Sequence, residues 1–305
     1  MALLDAVRAV TSFDPPPTLP ECDLEQLVHV LTAHGLAPLA SYQVEHTRLG
    51  AGLPATFREA LLGQYQGVVN DNVLKLVGLR GSLRAAPDVP VIVLEAAAYV
   101  DWLYPHMAFR PVGDLRIALR GADAERFATA VKDQLQLART EQGGRVAVFT
   151  DGRITVTAQE GLWPGGPPDE PLFERRVPYR AFGPSVARPS PEDAFLCAVG
   201  DQAIQGLLTP LITWIDVREL LRLPLDADGV RARAAAVGLS RALYGVSRLV
   251  AHFFPEVAPA AERLRPALAA AERAAIDRVV EAAQDPARLR HVRGTEELAR
   301  LVVAP

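Results

Sequence analysis

Val91-Ile-Val-Leu-Glu95-Ala-Ala-Ala-Tyr99 and, beyond Tyr104-Pro105, Arg110-Pro-Val-Gly-Asp114-Leu-Arg116-Ile-Ala-Leu-Arg120 decide how this chain is read. Residues 91–94 are an apolar, mostly β-branched run entered from Pro90, which predicts a strand. Residues 96–103 have helical character and carry the chain back. Pro111 and Gly113 break structure before a second predicted strand, 115–119. Residues two apart on a strand project to the same side. Asp114 and Arg116 therefore share a face, and Leu115, Ile117 and Leu119 turn to the core. Two carboxylates on such a face would bind Mg²⁺ in a metal-dependent phosphoryl-transfer site. Asp114 supplies one of them, and Arg116 puts a cation in the second slot.

Both flanks of this segment read as helical. Residues 1–13 suggest a short helix, followed by the stiff Asp14-Pro-Pro-Pro-Thr-Leu-Pro20 linker. Asp23 caps a helix bearing Leu24, Leu27, Val28 and Leu31, which His34-Gly35 ends. A further helix begins at Leu36, and a long one begins at Pro54, placed at N1. The apolar positions of the long helix run from Phe57 towards Leu83. After the second strand, Asp123 is expected to cap a helix over 124–137, and Gly143-Gly144 to turn the chain. Residues 145–149 and 153–157 form a hairpin around Asp151-Gly152. Residues 175–182 add a short extended piece. Ser190-Pro-Glu-Asp193 then starts a run of helices near 192–205, 209–222, 226–237, 239–252 and 259–283, with a last one from about 294. The pattern is α+β: a small mixed sheet between helical flanks, because strands and helices do not alternate as in doubly wound folds. The expected division is 1–88 helical, 89–188 the α/β core and 189–305 helical.

The 305 residues are 50% hydrophobic, enough for a sizeable core. The net charge of −4 gives no bulk attraction for nucleic acid. Cys22 and Cys197 are far apart and lack zinc-ligand spacing, so two reduced thiols are expected. The amphipathic N-terminal residues lack the basic and apolar regions of a secretory signal. No stretch reaches the ~18 apolar residues of a membrane span. These features place the expected location in the cytoplasm.

Several short motifs occur in a telling order: His34-Gly-Leu-Ala-Pro-Leu39, Val69-Asn-Asp-Asn-Val-Leu74, Tyr104-Pro105, Arg110-Pro-Val-Gly-Asp114 and Trp214-Ile-Asp216. From about residue 24 to 255 the chain resembles the uncharacterised bacterial nucleotidyltransferase family, a branch of the polymerase-β-like superfamily. The resemblance implies a nucleotidyltransferase fold and an Mg²⁺-dependent transfer to an acceptor. It also implies a Lys-Gly where Glu95-Ala96 stands, an Asp-x-Asp whose second member is Arg116, and a His near Gly200-Asp201-Gln202. A further acid and a His-Trp pair after the hairpin are missing from Ile154-Thr-Val-Thr-Ala158.

A guanidinium in the second slot repels a divalent cation. At ~4 Å and an effective dielectric of ~20, a unit pair is worth about 4 kcal/mol. The first expectation is therefore a catalytically degenerate protein that binds or regulates a protein partner and needs no cofactor. Arg110 and Arg116 could then hold a nucleotide or other anion. The alternative is an active transferase using Asp114 and Glu95 on one Mg²⁺. A third class is a structural subunit docking through its C-terminal helices. Taken alone, Asp114–Arg116 reads as a strand-end ion pair, Glu95 as a solvated acid or one paired with Arg110 or Arg116, and His34 as a helix cap. His106, His252, Trp102, Trp163 and Trp214 read as packing residues, and Arg110, Arg116, Arg120 and Arg126 as a solvated face.

Overall fold

The computed structural model describes residues 2–135, 138–141 and 145–284. Helices α1 (Ala2–Thr11), α2 (Leu24–Ala33), α3 (Ala37–His46) and the long α4 (Ala55–Ala85) come first. Strand β1 (Val91–Leu94), the short α5 (Glu95–Tyr99), β2 (Leu115–Ala118) and α6 (Gly121–Leu135) follow. Then come β3 (Ala138–Glu141), β4 (Val146–Thr150), β5 (Thr155–Gln159), α7 (Glu170–Arg175), β6 (Val177–Pro178) and β7 (Val186–Arg188). The chain closes with α8 (Pro191–Ile204), α9 (Leu211–Leu221), α10 (Ala227–Ala236), α11 (Ser240–Phe253), α12 (Ala258–Leu264) and α13 (Ala270–Ala283). The fold is α+β, as the sequence indicates.

The strands form one mixed sheet in the order β3-β4-β5-β2-β1-β7-β6. β1 is antiparallel to β2 and parallel to β7, and β2 is parallel to β5. All four residues of β1 are buried, as a central strand covered on both faces requires. β3 and β7 are not anticipated by the sequence reading. β7 is a three-residue strand, recruited because β1 offers it an unpaired edge. One contiguous cluster of buried apolar side chains extends from Ala6 to Ala283. None of the described helices is long and apolar enough to cross a membrane.

Local chemistry sets most boundaries. The Asp23 carboxylate accepts from the Glu25 and Gln26 amides and starts α2. Gly35, at φ +70°, follows the C-cap His34. Ser190 accepts from Asp193 N–H and starts α8. Pro54 is the N-cap of α4, one residue before the expected N1 position. The hairpin holds as β4 and β5, with Gly152 at φ +84° and Asp151 accepting from the Arg153 and Ile154 amides.

Other boundaries shift. α6 begins at Gly121, so Asp123 lies inside its first turn and pairs with Arg126 instead of capping. Arg175 ends α7, leaving Val177–Pro178 as the strand. The helix expected over 259–283 splits into α12 and α13, because Pro266 disfavours helical geometry at Arg265. The Gly143-Gly144 turn and the helix from about 294 lie outside the described residues.

The loop between α5 and β2 is fastened to α4. Asn72, fully buried, donates to the carbonyls of Met107 at 2.7 Å and Arg110 at 2.9 Å. Its Oδ1 accepts from Val112 N–H at 2.8 Å. Lys75 Nζ adds a bond to the Val112 carbonyl at 2.6 Å. An unsatisfied buried polar group costs roughly 1–3 kcal/mol. Asn72→Ala strips three backbone groups of their partner and is expected to cost about 3 kcal/mol in urea denaturation. A loss under ~1 kcal/mol would show that water replaces the clamp.

Candidate functional site

β1 and β2 pair with Leu94 opposite Arg116, so Glu95 and the Arg116 side chain meet where β1 ends. Glu95 opens α5 with φ +50°, a left-handed conformation that costs a non-glycine residue roughly 1–2 kcal/mol. Its carboxylate accepts from Arg116 Nη1. The same nitrogen donates to Asp201 Oδ1 at 2.7 Å, from the last turn of α8. The Glu95, Arg116 and Asp201 side chains are 19%, 20% and 14% exposed. One guanidinium thus serves two half-enclosed carboxylates.

Two carboxylates beside one cation favour keeping a proton. Burial, followed by the charge of Asp201 and its hydrogen bond, raises the Glu95 carboxyl well above its ordinary range; Arg116 and Arg110 pull the other way. Burial alone would lower the Arg116 pKa, but Glu95 and Asp201 outweigh it and hold the guanidinium firmly charged. Arg116 donates to both carboxylates and offsets their mutual repulsion.

A second polar cluster lies beneath the first. Arg110 Nε donates to both Asp216 oxygens, at 3.0 and 2.9 Å, and Nη2 lies 2.8 Å from Oδ2. Tyr104 O–H donates to Asp216 Oδ1 at 2.6 Å. Arg110 and Asp216 are 8% and 3% exposed, so this is a buried ion pair with its remaining valences satisfied. Both clusters border one cavity of about 50 Å³, whose lining includes Glu95, Tyr99, Arg110, Arg116, Asp201 and Asp216. Sites for drug-sized ligands run from roughly 300 Å³ upward, so this space suits a few waters.

The structure brings Glu95, Arg110 and Arg116 to the same cavity and leaves Asp114 outside it. Asp114 precedes β2, beyond the last residue paired with β1; it is exposed, with no ion-pair partner among the described residues. Arg116 therefore pairs with Glu95 and Asp201, not with Asp114. Arg110 and Arg116 are both engaged by carboxylates. Arg120 pairs with Glu170 and Arg126 with Asp123, so these arginines do not pool into a single anion-binding face.

Asp201 and the Tyr104–Asp216 bond were not identified by sequence reasoning as parts of the site. Their only signals were the Tyr-Pro and Trp-x-Asp motifs and the Gly200-Asp201-Gln202 stretch, near which the resemblance implies a His. The His34 motif is structural: Nδ1 accepts from Leu211 N–H at 3.1 Å and its carbonyl from Ile212 N–H at 3.3 Å, supporting the start of α9. His106 Nδ1 accepts from Ala108 N–H, and its ring stacks on Tyr65.

A divalent cation does not fit this donor set. Glu95, Cys197 and Asp201 place one possible ligand atom each within 4.8 Å of one another. Both carboxylates are held by Arg116, however, and a cation there would meet its charge. Cys197 Sγ–H donates to the Leu162 carbonyl at 2.7 Å, and burial pushes its thiol well above the usual range, away from the thiolate a metal needs.

Breaking a buried pair by removing one partner costs roughly 3–5 kcal/mol. Asp216→Ala is expected to lose about that much in denaturant titration, and Tyr104→Phe about 1–2 kcal/mol. Equal, small losses would show that neither bond is held tightly. The Glu95 pKa is raised on folding, so its stabilising contribution is full below the unfolded carboxylate value of about 4.3. That contribution is lost as pH rises through the folded value. Glu95→Gln stays neutral throughout. Its thermal midpoint should fall less than that of the parent between mildly acidic and mildly alkaline buffer; parallel curves would overturn the assignment.

The family described as Uncharacterised nucleotidyltransferase matches residues 20–255, which covers more than half of the chain and every residue of both ion clusters. No match was found among curated proteins or among solved structures. With its mixed sheet, helical flanks and polar cleft at the end of β1, the chain belongs to this uncharacterised nucleotidyltransferase family.

Proposed function

We propose that this is a catalytically degenerate nucleotidyltransferase-fold protein that acts by binding, as a regulatory or complex-forming component. The observation that carries this reading is the double engagement of Arg116 by Glu95 and Asp201. Arg116 stands where the family pattern has the second carboxylate of Asp-x-Asp. Glu95 stands at the Lys position, and Asp201 near the His. The charge is inverted at two positions, Glu95 and Arg116, and Arg116 bonds both to Glu95 and to Asp201. That mutual compensation is what a site rebuilt for structure would contain.

Other observations support the same reading. The cavity of about 50 Å³ is far smaller than a nucleoside triphosphate requires. Arg110, the second cation expected to hold an anion, is committed to Asp216. An active site using Asp114 and Glu95 on one metal would need those carboxylates facing each other with Arg116 swung away. Here Arg116 lies on Glu95, and Asp114 is outside the cavity.

Calorimetric titration with each nucleoside triphosphate, with and without Mg²⁺, tests the proposal. No saturable metal-dependent binding is expected, and such binding would overturn it. Arg116→Asp sharpens the test by replacing the cation between Glu95 and Asp201 with a third acid. The variant should be destabilised by roughly 2–4 kcal/mol and regain thermal stability when Mn²⁺ is added, while the parent does not respond. A variant as stable as the parent and indifferent to Mn²⁺ would show that the triad does not hold the cleft together.

A further inference from the structure

Helix α4 carries apolar side chains that nothing in the described structure covers. Leu62, Val73 and Val77 are 40%, 45% and 63% exposed, and Leu74 is 50% exposed. At 100° per residue, Glu59, Leu62, Gln66, Val73, Val77 and Arg80 fall on one stripe. The helix buries a different face, bearing Phe57, Leu61, Asn72, Leu79 and Leu83. The stripe runs about 30 Å at 1.5 Å per residue. Gly63 and Gly81 border it. A Cβ at either would meet no atom within 4 Å. Each glycine costs the helix interior about 1 kcal/mol relative to alanine, with no packing need among the described residues.

The stripe has a charge at each end: Glu59 before the apolar residues and Arg80 after them. Both are exposed. Glu59 has no ion-pair partner among the described residues. Arg80 has no carboxylate partner there either, and its guanidinium lies 5.7 Å from the Phe182 ring. The sequence of the stripe is therefore self-complementary when read in opposite directions. With a two-fold axis beside Asn70, Val77 of one copy covers Leu62 and Gly63 of the other. Glu59 of each copy then meets Arg80 of its mate at both ends. A parallel pairing would instead set Glu59 against Glu59 and Arg80 against Arg80.

We propose that α4 is the interface of an antiparallel homodimer, closed by paired Glu59–Arg80 contacts around the Leu62, Val73 and Val77 stripe. Closed two-fold pairing through a single self-complementary patch is the commonest form of protein self-association. The glycines let the two backbones approach, and burial of the apolar stripe supplies the driving force. One helix pair is a small interface, below about 1,200 Å² in total, so the dimer should dissociate in the micromolar range. The proposal is independent of the ion clusters and of any nucleotide chemistry.

Sedimentation equilibrium of the full chain, from low to high micromolar concentration, is the test. A monomer–dimer equilibrium is expected. Val77→Asp should weaken it at least about tenfold, as burial of an unpaired charge demands. Glu59→Arg and Arg80→Glu should each weaken it about three- to tenfold through like-charge contacts, and the double variant should recover most of the loss. These side chains are exposed, so thermal midpoints should stay within a few degrees of the parent. Val77→Ser is the fallback if Val77→Asp does not fold. A chain that stays monomeric overturns the proposal. So does a dimer indifferent to Val77, or a double variant no tighter than the single ones.

Discussion

The Asp216 carboxylate, held by Arg110 and Tyr104, is the interaction on which the site depends. It joins α9 to the loop that feeds β2 and to the turn after α5. Desolvating two charges is costly, and their attraction offsets that cost only when the geometry is good and the spare lone pairs are used. Here both conditions hold: Arg110 meets both oxygens, and the tyrosine hydroxyl takes a further lone pair. The pair fixes Arg110, while Asn72 and Lys75 fix the backbone beside it. With both ends of the loop held, β2 enters the sheet in one register, and Arg116 reaches the end of β1.

At that point the molecule holds a locally unfavourable conformation. A glutamate with positive φ and two enclosed carboxylates in contact would each be destabilising alone. Together with Arg116 they form a closed set: one guanidinium donating to both carboxylates. The positive φ at Glu95 aims its carboxylate towards Arg116 and Asp201, so the backbone strain is offset by the ion contacts. Strain of this kind gathers where a fold once had, or still has, a task. Here the groups that hold it in place also fill the cleft.

Much of the fold could be read from sequence, for reasons visible in particular residues. Caps at Asp23 and Ser190, the β-branched run at Val91–Leu94 and the Asp151-Gly152 turn are local signals, and the local geometry obeys them. β3 and β7 were missed because a short strand beside an existing edge draws its stability from the neighbour and not from its own composition. Asp123 misled because a capping residue type also suits the first turn of a helix, where its charge favours the dipole. At the site, sequence reasoning found Glu95, Arg110 and Arg116 and read Glu95 as a possible partner of Arg116, which holds, but it also paired Arg116 with Asp114, which does not. Period-two alternation applies only inside a paired strand, and β1 ends before Asp114 could find a neighbour. Asp201 was hidden by distance: it is 85 residues from Arg116, and only the packing of α8 brings it there.

The motifs that match the family divide into two groups by what they touch. His34 supports the start of α9, Asn72 clamps a loop, and Tyr104, Arg110 and Asp216 bind one another. All of these hold backbone or buried charge in place. Glu95, Arg116 and Asp201 face the cavity instead, and Arg116 bonds to both acids. Without Arg116, the Glu95 and Asp201 carboxylates would face each other with no cation between them at low dielectric. At ~4 Å and an effective dielectric of ~20, such a pair costs about 4 kcal/mol, a large share of a domain's 5–15 kcal/mol stability. An arginine in their midst removes that repulsion and binds the edge of the sheet to α8. The residue that would repel a divalent cation at this point is therefore also one that holds the end of β1 to α8.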